Sequence, residues 1–215
     1  MKEDTKKIIL MSLGVLMLII VISSSTYAFF YSSARDNGND IGGKTISFNV
    51  GATLETIKTG NLIPIKDNLI PTALASGSIC VDSRGYDACA LYKVTLTNRS
   101  DAQTLIGYIT LNNSTTITTN NFKYQLMTYS GGSYTAISDA STLSTNKSTK
   151  NYFVRNNNNV EITMSNGTTT ATSSDYYVVM WLSDNNTNQP ATQDNRFSGV
   201  VTFESITGGE TKAEF

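Results

Sequence analysis

Two cysteines, 17 carboxylates, 11 tyrosines and no histidine make up the chemical equipment of this 215-residue chain. The missing histidine removes histidine-based nucleophilic triads, histidine-ligated zinc and the H-E-x-x-H helix together. The carboxylates Asp82, Asp87, Asp101, Asp139, Glu161, Asp175, Asp184, Asp194 and Glu204 are scattered along the chain. Two of them facing one cleft would form the acid/base pair of a glycosidase, but no spacing marks such a pair. Phosphate-cradling glycine loops are absent too. The expectation is a non-enzymatic protein with no cofactor and no metal.

DNNTNQ (Asp184 to Gln189) offers oxygen ligands at alternate positions, where Asp184, Asn186 and Asn188 resemble half of a calcium loop. The glycine and the closing glutamate of such a loop are missing, and a solvated turn between strands explains the segment. DNGND, Asp36 to Asp40, reads the same way. Asn98, Asn112, Asn113, Asn146 and Asn166 head N-x-[ST] triplets, but a chain this rich in Asn, Ser and Thr produces them by composition. Tyr108, Tyr124, Tyr129, Tyr134, Tyr176 and Tyr177 would suit a sugar-binding face, or half-buried packing on a sheet.

The cysteines, Cys80 and Cys89, bracket CVDSRGYDAC with eight residues between them. They lack the further ligands that a metal site needs and the C-x-x-C spacing of a redox motif. In an exported protein they predict a stapled loop or hairpin that stabilises the fold by roughly 2–3 kcal/mol. The alternative is two free thiols.

The elements that carry these residues read as strands. KTISFNVGATLE places Ile46, Phe48 and Val50 on one face. ALYKVTLTN groups Tyr92, Val94 and Leu96; TLIGYITL sets Leu105, Ile109 and Leu111 opposite Ile106 and Tyr108; FKYQLMTYS aligns Phe122, Tyr124 and Leu126. NYFVRN and VEITMS follow around the turn-prone Asn156 to Asn159. DYYVVMWLSD is apolar on both faces, as expected of a central strand covered on both sides. RFSGVVTFESIT places Val201 and Phe203 on one face and Val200 on the other. Only Leu69 to Ser76 hints at a short helical turn. The predicted fold is all-β, an antiparallel jelly-roll-like sandwich of about eight or nine strands after an N-terminal signal or anchor helix.

That N-terminal segment begins with Lys6 and Lys7, followed by an apolar run from Ile8 to Ile22. Fifteen residues span roughly 22 Å as a helix, short of the ~30 Å hydrocarbon core. A cationic start, a short apolar run and then small residues describe a secretory signal, with Thr26 and Ala28 placed for a cut before Phe29. The rival is an uncleaved anchor. Both put the rest of the chain outside the cytoplasm, and the membrane is reached only through this segment. The expected divisions are 1–28 (signal or anchor), 29–43 (N-terminal arm), 44–206 (β-sandwich) and 207–215 (polar tail). Beyond residue 28 there remain 13 basic and 15 acidic residues. No Lys/Arg cluster survives, so nucleic acid is excluded as a partner.

TYAFFYSSARDNG resembles the cleavage region of SipW-type signal peptides, and NRFSGVVTFES is similar to the closing strand of the TasA/camelysin family. VGATLETI stands in the place of that family's first strand, LIPTALASGS in that of a proline-containing turn. YKVTLTNRSDAQTLIGYITL resembles its strand–turn–strand unit. The turn lacks the family's Pro-Gly-Asp, and the cysteine pair departs from it. The resemblance implies a jelly-roll domain secreted by a Gram-positive bacterium into the extracellular matrix or biofilm. It also implies polymerisation of like copies: a freshly exposed N-terminal segment adds a strand to the next subunit, with Phe29, Phe30 and Tyr31 as its anchors. Other matrix proteins and cell-wall glycans are the further partners expected. The metalloprotease activity described for camelysin finds no histidine ligands here. The alternative function is a monomeric surface adhesin or carbohydrate-binding module.

Overall fold

Alternation of apolar and polar residues dictates strands wherever one face can be buried, and the computed structural model follows that pattern over the residues it describes: 47–75, 79–116, 121–184 and 197–215. The cleavage residues Thr26 and Ala28, the anchors Phe29, Phe30 and Tyr31, and the DNGND segment lie outside them. So does DNNTNQ beyond Asp184.

In chain order the elements are β1 (Val50–Lys58), helix α1 (Ile70–Ala73), β2 (Ala90–Asn98), β3 (Gln103–Leu111), β4 (Phe122–Ser130), β5 (Ser133–Ala136), β6 (Ser141–Thr142), β7 (Asn151–Tyr152), β8 (Val154–Arg155), β9 (Asn158–Asn159), β10 (Glu161–Met164), β11 (Thr172–Leu182), β12 (Gly199–Ser205) and β13 (Glu210–Glu214). Sheet I runs β1-β2-β11-β4-β5, with β6 also on β4; sheet II runs β10-β3-β12-β13, with β7 also on β3. Every ladder between these strands is antiparallel. The two sheets form a sandwich. Two-residue segments raise the strand number above the eight or nine expected, because pieces that short leave no periodic signal.

Between the sheets lies the main core. Tyr92, Val94 and Leu96 of β2, Leu105, Ile109 and Leu111 of β3, Phe122, Tyr124 and Leu126 of β4, and Val201 and Phe203 of β12 all point into it. These are the faces that alternation assigns to the interior. Gly107 of β3 is required there: a Cβ would stand 2.8 Å from the Phe203 ring. Tyr124 is buried with its hydroxyl donating to the Tyr152 carbonyl at 2.8 Å, and burial pushes the phenol up to about 12.

The strand-to-strand corner Asn98–Ser100 carries the chain from sheet I to sheet II. Asn98 is buried; its Nδ2 donates to the carbonyls of Asp101 (2.9 Å) and Ser165 (2.8 Å), and its Oδ1 accepts from the N–H and hydroxyl of Ser100. This triplet asparagine is a structural corner, fully occupied by its own hydrogen bonds. Between β8 and β9, Asn156 (φ 51°) and Asn157 (φ 65°) form the two-residue turn of a tight hairpin, both in the left-handed region that asparagine tolerates.

The segment expected as a polar tail, 207–215, instead supplies an edge strand. β13 pairs with β12 from Val200↔Glu214 to Glu204↔Glu210. Its only inward residue of note is Ala213, and Phe215 packs on Tyr92 with ring centroids 5.0 Å apart. An edge strand facing water on one side needs little apolar content, so its sequence reads as a tail.

Candidate functional site

β11 decides where the molecule can present chemistry, because its two faces are buried against different things. Val178, Met180 and Leu182 enter the main core. Val179 and Trp181 point outward from sheet I into a second core with Ile65, Ile70, Ala73, Leu74, Ala88, Leu91 and Met127. The covering residues, 59–75 and 79–89, have little regular structure and are tied down at several points. Cys80 and Cys89 are joined in a disulfide with Cα atoms 4.9 Å apart, and both are buried. Ile65 N–H donates to the Leu182 carbonyl at 2.9 Å, Asp184 N–H to the Ile65 carbonyl at 2.9 Å, and Ile63 N–H to the Asp87 carbonyl at 2.8 Å.

Asp67 closes this segment over Trp181. Its carboxylate accepts from Trp181 Nε1 at 2.9 Å, Ser183 Oγ at 2.7 Å and the Lys123 ammonium. Burial pushes the Asp67 carboxyl up, but the hydrogen bonds from Lys123, Trp181 and Ser183 and the Lys123 charge outweigh it and hold the group below the ordinary value of 3.8. Of the remaining described carboxylates, Asp87 stands with Lys58 (2.7 Å), Asp82 with Arg84, Asp139 with the Asn156 N–H, Asp175 with Lys93, Glu204 with Lys150 (2.7 Å) and Asp101 with the Asn166 amide (3.4 Å), while Glu161 is exposed on β10. Among the described residues no group of three or more His, Cys, Asp or Glu is placed to hold a metal ion.

The six tyrosines separate. Tyr108 and Tyr124 are buried in different layers, Tyr176 is half-buried against the main core, and Tyr129, Tyr134 and Tyr177 come together on the outer face of sheet I. Their ring centroids stand 4.7 Å (129–134), 5.9 Å (129–177) and 5.1 Å (134–177) apart. The register places them there: Tyr177 lies opposite Met127, and Tyr129 opposite Tyr134.

The feature that sequence reasoning missed is a cleft of about 490 Å³ at the edge of sheet II. β10 ends that sheet, and among the described residues no strand pairs with its other side. The cleft runs along that free side, lined by Glu161–Thr163 of β10, Arg155, Asn159 and Val160 from the β8–β9 hairpin, Thr128 and Ile137 near β4 and β5, and Tyr176 of β11. It therefore bridges the seam between the sheets. Ile137, Val160 and Tyr176 are each half-buried against the main core, so the floor of the cleft is the core itself. Burial pushes the Tyr176 phenol up, against the opposing effect of its hydrogen bond with Ser174. Arg155 and Glu161 put one charge of each sign at the rim. The signal for this cleft was weak: a four-residue strand alternating Glu161, Ile162, Thr163, Met164 after an asparagine turn.

Two of the other edges, β1 and β13, differ. β1 carries a bulge between Thr56 and Lys58, and β13 bears Glu210, Lys212 and Glu214 and lies close to β1. Bulges and charges are the usual ways of blunting an exposed edge.

No protein-family model matches the sequence, and no curated protein does. The likeness to TasA and camelysin thus rests on the segments quoted above. Among solved structures, the chain is similar to Spo0M, a sporulation control protein from Bacillus subtilis, at 9% identity and a TM-score of 0.29, over 77% of this chain and 47% of that one. It is similar to the CupB6 tip adhesin from Pseudomonas aeruginosa at 13% identity and a TM-score of 0.28, over 74% of this chain and 44% of the adhesin. A third is ACE19, the collagen-binding subdomain of the Enterococcus faecalis surface protein ACE, at 9% identity, a TM-score of 0.23 and coverage of 78% and 92%. The chain thus spans less than half of the first two. Similarity of this extent carries no argument about function.

Proposed function

We propose that this chain is a secreted, non-enzymatic structural protein of the cell surface or biofilm matrix whose copies join by strand addition. In this reading residues 29–40 of one copy lie in the cleft beside β10 of the next. The observation that carries it is an edge strand, unpaired on its outer side among the described residues, bordering a cleft whose floor is the sandwich core. A donor pairing with β10 would use backbone groups that otherwise face water, and its alternate side chains would cover Ile137, Val160 and Tyr176.

The arm fits this task in three ways. Phe29 and Tyr31 fall on one face of an extended strand and Phe30 on the other. The stretch from Phe29 to Ser47 reaches about 60 Å when extended, ample for contact with a second copy. Arg35 and Asp36 follow the aromatic residues, and the cleft rim offers Glu161 and Arg155 as partners of opposite sign. The buried disulfide supports an oxidising compartment, as secretion requires.

Protein beginning at Phe29 should polymerise, as read by sedimentation and electron microscopy, and protein lacking Phe29–Asp40 should stay monomeric with unchanged circular dichroism. Val160→Lys, which sets a charge on the cleft floor, should block assembly of an intact arm. Fibres from the truncated protein would contradict the reading.

A further inference from the structure

The tyrosine trio lies on the opposite side of sheet I from the cleft: Thr128 and Tyr176 point to the cleft, and their chain neighbours Tyr129 and Tyr177 point outward. Tyr134 and Tyr177 pack against the second core and are fixed by it. Tyr129 leans on both and remains 49% exposed, so it presents a ring whose orientation is held from beneath.

Beside these rings the outer face carries polar groups that are already ordered. Lys93 Nζ stands 2.9 Å from Asp175 Oδ2, and Thr95 Oγ1 donates to Asp175 Oδ1 at 2.6 Å. Beyond them the strands bear short side chains, and around Gly51 the space is open. The result is a step, with low polar ground on β1 and β2 rising to aromatic rings on β11, β4 and β5. No described segment covers it.

We propose that this step is a binding site for a neutral polysaccharide. The apolar C–H face of a pyranose ring packs on an exposed, oriented tyrosine, and its hydroxyls find a carboxylate and the Thr95 oxygen to accept and an ammonium to donate. Charge selects the class of glycan. Lys93 is matched by Asp175, and Glu55, opposite Lys93 on β1, leaves the face with one negative charge in excess. An acidic polymer is therefore repelled. A protein partner would gain little buried apolar area from the threonines of β2. The site stands independently of strand addition.

The test is affinity electrophoresis of the full chain in gels containing hydroxyethyl cellulose, laminarin or glycogen, with polygalacturonate as the acidic comparison. At least one neutral polymer should retard the protein, and polygalacturonate should not. Tyr129→Ala should weaken the retardation about tenfold, the loss expected when a central aromatic contact is truncated. Tyr129→Phe should keep most of it. Circular dichroism controls for folding, since Tyr129 is half exposed. The proposal is overturned if no neutral polymer retards the chain, if Tyr129→Ala binds as well as the parent, or if only polygalacturonate binds.

Discussion

The outward positions of β11 in sheet I read Tyr177, Val179, Trp181, and a stapled segment closes over most of them. The outward positions of β3 and β12 in sheet II read Ile106, Tyr108 and Val200, Thr202, Glu204, and what lies across Tyr108 and Glu204 is Lys150, with the Tyr152 ring 5.2 Å from that of Tyr108. Its ammonium sits 4.4 Å from the centre of the Tyr108 ring and 2.7 Å from Glu204 Oε2, and the Tyr152 hydroxyl also reaches Glu204. The hydrogen bond with Glu204 comes first, then that with Tyr108, in raising the Lys150 pKa. One lysine stem and one tyrosine ring suffice to shield a few scattered apolar atoms. A continuous apolar stripe needs a second layer of chain, and a layer with so little regular structure needs a staple. The covering segment is thus part of the folding unit of sheet I, whereas the Lys150 cluster decorates sheet II.

Mutations test this contrast by the size of their effects. Trp181→Ala, in the centre of the second core, should cost about 3–5 kcal/mol by chemical denaturation. A value near zero would mean the cover is an ornament. Removing the disulfide with Cys80→Ser and Cys89→Ser should cost roughly 2–3 kcal/mol. Its signature is local: amide exchange should rise in 61–75 and 79–91 before the sandwich strands β3 and β12 lose protection. Uniform loss of protection would dissolve the distinction between the two regions.

Asp67→Ala should have a smaller effect, about 1 kcal/mol, since its hydrogen bonds are charge-assisted but the side chain is partly exposed. Its pH dependence has a definite sign. The folded carboxyl titrates below its unfolded value of 3.8, so its contribution is complete above that value and is lost as pH falls through the folded pKa. The stability gap between parent and Asp67→Ala should therefore close below about pH 4. Smallest of all, Glu204→Gln on sheet II should lower the melting temperature slightly, and added salt should erase the difference.

Much of the fold was legible because burial leaves a period. Both-sided apolarity identified β11 as central, and alternation gave the inward faces of β2, β3, β4 and β12 correctly. The cysteine spacing pointed to the staple. Legibility failed where position depends on register rather than composition. Tyr129, Tyr134 and Tyr177 meet because β11, β4 and β5 align as they do, and nothing local separates them from Tyr108 or Tyr124. The cleft was hidden for the same reason: its lining comes from β4, β8–β10 and β11, and each piece alone reads as turn or edge. β13 was misread because an edge strand with one buried alanine looks like solvent-loving chain.

Strand addition at β10 is tested most directly by amide hydrogen exchange on protein lacking Phe29–Asp40, with and without a synthetic Phe29–Asp40 peptide. Peptide addition should slow exchange at Glu161–Met164 and at the neighbouring hairpin and leave the outer face of sheet I unchanged. Slowed exchange along β1 or β13 instead, or none anywhere at saturating peptide, would contradict it.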